Sequence, residues 1–354
     1  MSHMTYLEAA VVGLVQGVTE LFPVSSLGHN VLIPALVGGS WASDLNVAKP
    51  ESPYLAFIVG LHVATALALL VYFWRDWIRI IGGFFSSLRV RAAFPWLRLD
   101  TRDQKLAWMI ILATIPVGIV GLLAEHAFRV IFGRPIAAGF FLIVNGVILY
   151  CGEKFRTHRS VQADQAAAAD RAREQKLVSA GAGPPDPPTA LEGSPPQSGH
   201  PALQPPSSHQ AVRQEEMALA ERADERLAKV GYAQAVIIGS AQILALLAGI
   251  SRDGVTMVAG MARGLSREDA ARFAFLLATP VIFAAGVLKV PDLTGSLGNG
   301  IHGQILLGSA LSFVGAYVSV RFLMKYFQTR TLTPFAIYCF VVGLGSVIYL
   351  GLIK

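Results

Sequence analysis

Apolar runs close to the length of a membrane span recur along this chain and restrict it to a helical fold in lipid. A helix needs about 20 mostly apolar residues to cross a bilayer. Residues 54–74, 105–125, 136–151, 273–290, 304–324 and 334–352 meet or approach that length. Each such run reads as one membrane-spanning helix. Composition agrees: 15% of the 354 residues are charged and 53% hydrophobic, whereas a soluble domain carries about 25% charged residues. Cys151 and Cys339 both lie in apolar runs, which excludes a disulfide framework and any zinc spacing. The formal charge of +6 does not point to nucleic acid, because the basic residues flank apolar runs, where topology explains them. No cleavable signal peptide is expected, since the first apolar run lacks a basic leader.

Loop charges set the expected sidedness. The connection 75–105 carries Arg75, Arg79, Arg89, Arg91, Arg98, Arg102 and Lys105, while 126–135 has only Arg129 and Arg134, so the former is expected in the cytoplasm. Arg263, Arg267 and Arg272 precede the fourth run and Lys325 and Arg330 follow the fifth, which places those ends inside as well. Two further apolar stretches, 6–37 and 232–262, are each interrupted by a polar cluster. The second lies between two cytoplasmic segments and is expected to enter and leave on one side. One ungapped register lays Tyr6 on Tyr232, Gly13 on Gly239, Gln16 on Gln242, Ser25 on Ser251, Gly28 on Gly254 and Gly38 on Gly264, which argues for duplication.

The expected fold class is an all-α polytopic membrane protein with an inverted-topology repeat, each half one re-entrant helical hairpin followed by three transmembrane helices. Residues 1–154 form the first repeat and 231–354 the second. Between them, 155–230 is polar and rich in Ala, Pro, Ser and Gln, and reads as a largely disordered cytoplasmic insert. Sites in inverted repeats lie at the repeat interface near mid-membrane, so the chemistry is sought where the two segments break.

The first break reads Gln16-Gly17-Val18-Thr19-Glu20-Leu21-Phe22-Pro23-Val24-Ser25-Ser26-Leu27-Gly28-His29. Gln16 and Glu20 share a helical face, Pro23 stops that helix, and Ser25 and Ser26 open the next, where exposed N–H groups suit an anion. His29 lies one turn on. The second break reads Gly249-Ile250-Ser251-Arg252-Asp253-Gly254-Val255-Thr256. Arg252 presents a planar fork for phosphate oxygens, and Ser251 and Thr256 add hydroxyls. Ionisable groups at mid-membrane are functional by default; the plainer reading is that Glu20 and Arg252 form an ion pair holding the halves together. A nucleophile, a base and a phosphate clamp suggest phosphoryl transfer, with Ser26 or Ser25 attacking and His29 or Glu20 handling protons.

These motifs, together with Leu61-His62, Val71-Tyr72-Phe73 and Ala113-Thr114-Ile115-Pro116, closely resemble those of the undecaprenyl-pyrophosphate phosphatase family, also called bacitracin-resistance proteins. The resemblance covers both halves and spares the insert. It implies hydrolysis of undecaprenyl pyrophosphate to undecaprenyl phosphate in the bacterial plasma membrane, at a site opening to the outer side, recycling the carrier for peptidoglycan synthesis. It also implies that Glu20 and Arg252 are essential, that His29 and a serine of the Ser25-Ser26 pair belong to the catalytic centre, and that a divalent cation, magnesium or calcium, assists. Gln16, Gly28, Gly249, Ser251, Gly254, Thr256 and His62 are the expected substrate-binding residues, although for His62 a packing role stands beside that one. Glu20 and Asp253 are the expected metal ligands.

The sequence departs from the family pattern at Gln16, Leu27, Ala248 and Asp253. Asp253 is the most consequential, because a carboxylate beside a pyrophosphate repels it unless it binds a cation or orients Arg252. The expected partners are the polyprenyl pyrophosphate, membrane lipids and, as the oligomer left open, a second copy in a homodimer. A polyprenyl-phosphate flippase or anion transporter using the same pocket stands as the alternative, since inverted repeats are a carrier architecture.

Overall fold

The computed structural model describes residues 4–46, 53–93, 101–132, 134–179, 225–288 and 300–352. Among them the secondary structure is helical, without strands. The helices are α1 (Tyr6–Leu21), α2 (Ser26–Val37), α3 (Gly39–Asp44), α4 (Pro53–Tyr72), α5 (Trp74–Ala93), α6 (Arg102–Phe132), α7 (Pro135–Ser179), α8 (Tyr232–Ser240), a 3-10 helix (Ala241–Leu246), α9 (Arg252–Ala262), α10 (Arg267–Leu288), α11 (His302–Thr329) and α12 (Thr333–Leu352). Among the described residues five stretches are long and apolar enough to cross a membrane: Arg102–Ala124, Pro135–His158, Arg267–Leu288, His302–Thr329 and Thr333–Leu352. The pair α4 and α5 meets the same test together but bends by 85° between them. The protein is thus a helical, multi-pass membrane protein.

The chain divides into two units, Met1–Lys154 with Asp224–Lys354, and Phe155–Ala223. The second is represented by the C-terminal part of α7; the rest of the expected insert, from 180 to 224, lies outside the described residues, as does most of the loop between α10 and α11. One sequence expectation needs correction. The connection 75–105 is not merely a basic loop, because α5 occupies most of it. A search for a continuous apolar run overlooks this helix, because arginines, glycines and serines interrupt its apolar residues.

The two broken segments break where their polar clusters fall. In the first, α1 opens on a capping box in which Glu8 N donates to Thr5 Oγ1 and Thr5 N to Glu8 Oε2. It closes at Leu21, and α2 begins at Ser26 beyond Pro23. The chain doubles back there, since Asn30 Nδ2 of α2 donates to Gln16 Oε1 of α1 at 2.6 Å. In the second, α8 gives way to the 3-10 helix before α9 starts at Arg252.

Small residues let the first arm of each segment approach a long helix from the other end of the chain, the usual means of packing helices in lipid. At Gly13 a Cβ would lie 2.5 Å from the Gly308 carbonyl oxygen, so α1 sits directly on α11. At Gly239 it would collide with the Ala113 carbonyl, so α8 sits directly on α6. At one end of α10, ion pairs join separate parts of the fold: Arg267 with Glu153, Asp269 with Arg226 at 2.7 Å, and Arg272 with Asp76 at 3.0 Å. The basic cluster that suggested sidedness is therefore also a fastening.

Candidate active site

The two breaks meet. Ser25 caps α2 by accepting from Gly28 N at 3.2 Å, and Ser251 caps α9 by accepting from Gly254 N at 3.1 Å, the same motif at two positions that share one sequence register. Ser25 Oγ also accepts from Gly249 N at 3.2 Å, which stitches the first break to the second. Asn145 of α7, fully buried, fastens them again: its Nδ2 donates to the Pro23 carbonyl at 2.9 Å and its Oδ1 accepts from Ser251 N at 3.0 Å. Sequence reading missed Asn145. It sits inside an apolar span as a single amide, and the only signal was that a buried amide needs partners.

Glu20 is the centre of the polar cluster and is only 7% exposed. Its Oε1 accepts from Arg252 Nη2 at 2.6 Å. Its Oε2 accepts from Gln16 Nε2 at 2.8 Å and from the Ser26 hydroxyl, with His62 Nε2 at 3.6 Å. The structure thus gathers Glu20, Ser26, Arg252, Gln16 and His62 around one carboxylate, and puts His62 beside the site rather than only in packing. Burying a carboxylate in lipid is tolerable because it is paired and hydrogen-bonded.

The two serines are not equivalent. Ser25 is 4% exposed and its oxygen is occupied by two backbone N–H groups, whereas Ser26 is half-buried and bonded to Glu20. Ser25 also has a positive φ of 69°, alone among the described non-glycine residues. Such backbone costs on the order of 1–3 kcal/mol and persists where the surroundings enforce it. The enforcing contacts here are the two N–H bonds to Ser25 Oγ and the His29 ring, whose Nδ1 bonds the Ser25 carbonyl at 2.7 Å. The turn that results presents Ser26 to Glu20.

His29 is placed differently from the sequence expectation of a base beside the serine hydroxyls. Its Nδ1 faces a carbonyl, which can only accept, so that nitrogen carries the proton; its Nε2 meets Tyr338 Oη at 2.8 Å, with the two rings stacked 5.7 Å apart. Tyr338 of α12 was not singled out by sequence. Thr256 spends its hydroxyl on the Arg252 carbonyl at 2.7 Å.

Around the second break some polar atoms have no hydrogen-bond partner among the described residues. They are both carboxylate oxygens of Asp253, both amide atoms of Gln242 and Nε of Arg252; Asn30 Oδ1 in the first break is another. Asp253 is 1% exposed, and its Oδ1 lies 3.7 Å from Arg252 Nε. No group of three or more His, Cys, Asp or Glu suited to a metal occurs among the described residues. Asp253 nevertheless fits a hard cation of the magnesium kind, which takes one or two carboxylates and completes its shell with substrate phosphates and water. Glu20 is less free for that role, since both its oxygens already accept from neighbours.

The arrangement defines a class: a multi-pass helical membrane protein whose buried polar cluster holds a hydroxyl on a carboxylate beside an arginine fork. The chain belongs to the family described as Bacitracin resistance protein BacA, whose model matches residues 9–176 and 211–345. It is 54% identical over 351 residues to an undecaprenyl-diphosphatase of Mycolicibacterium paratuberculosis, covering 99% of each chain. It is 50% identical over 382 residues to undecaprenyl-diphosphatase 1 of Frankia casuarinae, covering 99% of this chain and 100% of the relative. With undecaprenyl-diphosphatase 2 of Burkholderia lata the identity is 38% over 331 residues, covering 93% and 91%.

Proposed function

We propose that this protein is a membrane phosphatase that hydrolyses undecaprenyl diphosphate to undecaprenyl phosphate and inorganic phosphate, returning the lipid carrier to peptidoglycan synthesis. Family membership and full-length relatives named for that activity support the reaction. The observation that carries the chemistry is the Ser26 hydroxyl bonded to the Glu20 carboxylate with Arg252 on its other oxygen.

In this reading Glu20 takes the Ser26 proton as Oγ attacks the terminal phosphorus. The new Ser–O–P bond forms as the anhydride P–O bond breaks, and undecaprenyl phosphate leaves with the bond's electron pair. Glu20 passes that proton to the departing phosphate; the restored carboxylate then deprotonates water, which attacks the phosphoserine, and the proton returns to Ser26 Oγ as inorganic phosphate leaves. Arg252 turns its fork from Glu20 toward the phosphate oxygens as charge builds on them. Gln16 and His62 hold the Glu20 side chain, and Ser25, Gly28, Gly249, Ser251 and Gly254 shape the joint between the breaks. Asp253 would hold a magnesium or calcium ion, which when bound offsets phosphate charge.

The finer architecture belongs to the same proposal. The like caps at Ser25 and Ser251, and the like seats of α1 on α11 and α8 on α6, support two inverted repeats whose broken segments re-enter the membrane from opposite sides. The basic residues around α5 and α10 support a cytoplasmic position for those ends in a bacterial plasma membrane, with the site opening outward. A pure carrier has no use for a hydroxyl held on a carboxylate, which favours the enzyme over the transporter.

The test is phosphate release from undecaprenyl diphosphate in detergent. Wild type should release one phosphate per substrate. Ser26→Ala should release none above background, while Ser25→Ala retains measurable turnover. Full activity in Ser26→Ala removes the serine mechanism, and no release by wild type removes the phosphatase.

A further inference from the structure

Helix α5 takes no part in the Glu20 cluster, yet its surface is strongly patterned. Trp74, Ile78, Ile81, Phe85 and Leu88 are all exposed and recur at alternating steps of four and three residues, so they line one helical face. The opposite face is docked. A Cβ at Gly83 would come within 2.6 Å of the Asp103 backbone. Ser86 Oγ accepts from Gln104 Nε2 at 3.1 Å and Ser87 Oγ from Trp108 Nε1 at 2.9 Å. At the other end of α5, Asp76 pairs with Arg272 at 3.0 Å, and the Arg272 guanidinium lies 5.5 Å from the Phe73 ring centre.

Those partners fix the level at which α5 lies. Asp103, Gln104 and Trp108 belong to the first two turns of α6, and Arg272 to the second turn of α10. Both are terminal turns of membrane-crossing helices, in stretches as charged as Arg102, Asp103 and Lys105 or Arg267, Glu268 and Asp269. A helix fastened near both its ends to the boundary turns of two spans is held at the boundary, and it turns 85° away from the direction of α4. Its charge is one-sided too. Arg75 is exposed beside the Trp74 ring, and Arg79, Arg89 and Arg91 also lie on α5, while its single acidic residue, Asp76, is buried in ion pairs.

We propose that α5 is an interfacial helix that binds the anionic phospholipid of the leaflet it lies in. Its apolar stripe sits at the acyl border and its arginines meet phosphate headgroups. The proposal is independent of the catalytic reading, because it involves none of those residues.

The test uses the full chain carrying Cys151→Ser, since Cys151 is exposed and Cys339 buried. A nitroxide is placed in turn at Ile78→Cys, Ile81→Cys and Phe85→Cys, in phosphatidylcholine vesicles with and without phosphatidylglycerol. The three labels should report one shallow depth, phosphatidylglycerol should immobilise them, and Arg75→Gln with Arg89→Gln should remove that effect. If α5 instead descends into the bilayer, the label at 85 will lie about 10 Å deeper than that at 78, from the rise of about 1.5 Å per residue, and the proposal falls. It falls equally if phosphatidylglycerol leaves label mobility unchanged. Hydrogen exchange of the unlabelled chain gives a second reading: phosphatidylglycerol should slow exchange across 78–88, and unchanged exchange counts against the proposal.

Discussion

The α1–α2 and α8–α9 segments share a scaffold but not a chemistry. Both end their break on a serine cap with a glycine three residues on, and both lay their first arm on a distant span through a glycine. Around the first break, Glu20, Gln16, Ser25 and Ser26 are bonded to one another or to backbone. Around the second, Gln242, Asp253 and Arg252 Nε keep five buried polar atoms without hydrogen-bond partners among the described residues, against Asn30 Oδ1 around the first. A self-satisfied cluster is preorganised and costs little to bury, whereas an unsatisfied one is costly unless something polar arrives. In the proposed reaction the first segment is the reacting end and the second the receiving end.

That division is most strongly tested at Glu20. Glu20→Gln keeps the shape and removes the base, so turnover should fall on the order of 10²–10⁴-fold with helicity unchanged. A loss under tenfold would put the base elsewhere and dissolve the contrast between the two ends. Next in size is Asn145, which joins them. Asn145→Ala strands the Ser251 N–H, at a cost of about 1–3 kcal/mol when buried, and leaves the Pro23 carbonyl only the weaker Cys339 thiol. Its midpoint of thermal unfolding should drop clearly and its turnover with it. If it melts like wild type, the breaks hold together without this clamp.

Smaller effects probe each segment alone. Ser25→Ala removes the oxygen that accepts from Gly28 and Gly249, and cap losses cost about 0.5–2 kcal/mol. Reduced stability with partial activity is expected, the reverse of Ser26→Ala. Tyr338→Phe keeps the ring on His29 but removes the hydroxyl from Nε2, and one hydrogen bond of about 0.5–1.5 kcal/mol predicts a few-fold loss in kcat with KM little changed. Asp253→Ser should act mainly on cation dependence, raising the magnesium concentration for half-maximal activity several-fold. An unchanged magnesium titration would leave the second break as a phosphate site without a metal role.

Much of the site is legible in the sequence, for local reasons. Gln16 and Glu20 lie one turn apart on a helix, Pro23 must end it, and a serine followed by a glycine three residues later is a cap in either segment. What chain order could not show was which groups from distant segments touch. His29 is one turn from Ser25, so it looked like a base for a serine hydroxyl. Yet its ring bonds the Ser25 carbonyl and Tyr338, because a serine backbone at φ 69° turns its carbonyl toward that ring. Helix α5 was hidden for another reason. Its apolar residues are interrupted by Arg75, Asp76, Arg79, Gly82, Gly83, Ser86 and Ser87, so a search for spans passes over it.

The sequence by itself determined that this chain lies in a membrane as helices, where it breaks, and which charged residues stand at the breaks, because hydrophobic length, proline and capping act over a few residues. Only the tertiary structure decided that Ser26 and not Ser25 faces Glu20, that Asn145 binds both breaks, and that the Asp253 oxygens accept no hydrogen bond among the described residues. Those outcomes depend on backbone and helix positions brought from remote parts of the chain, and hydrogen bonds act only within about 3 Å.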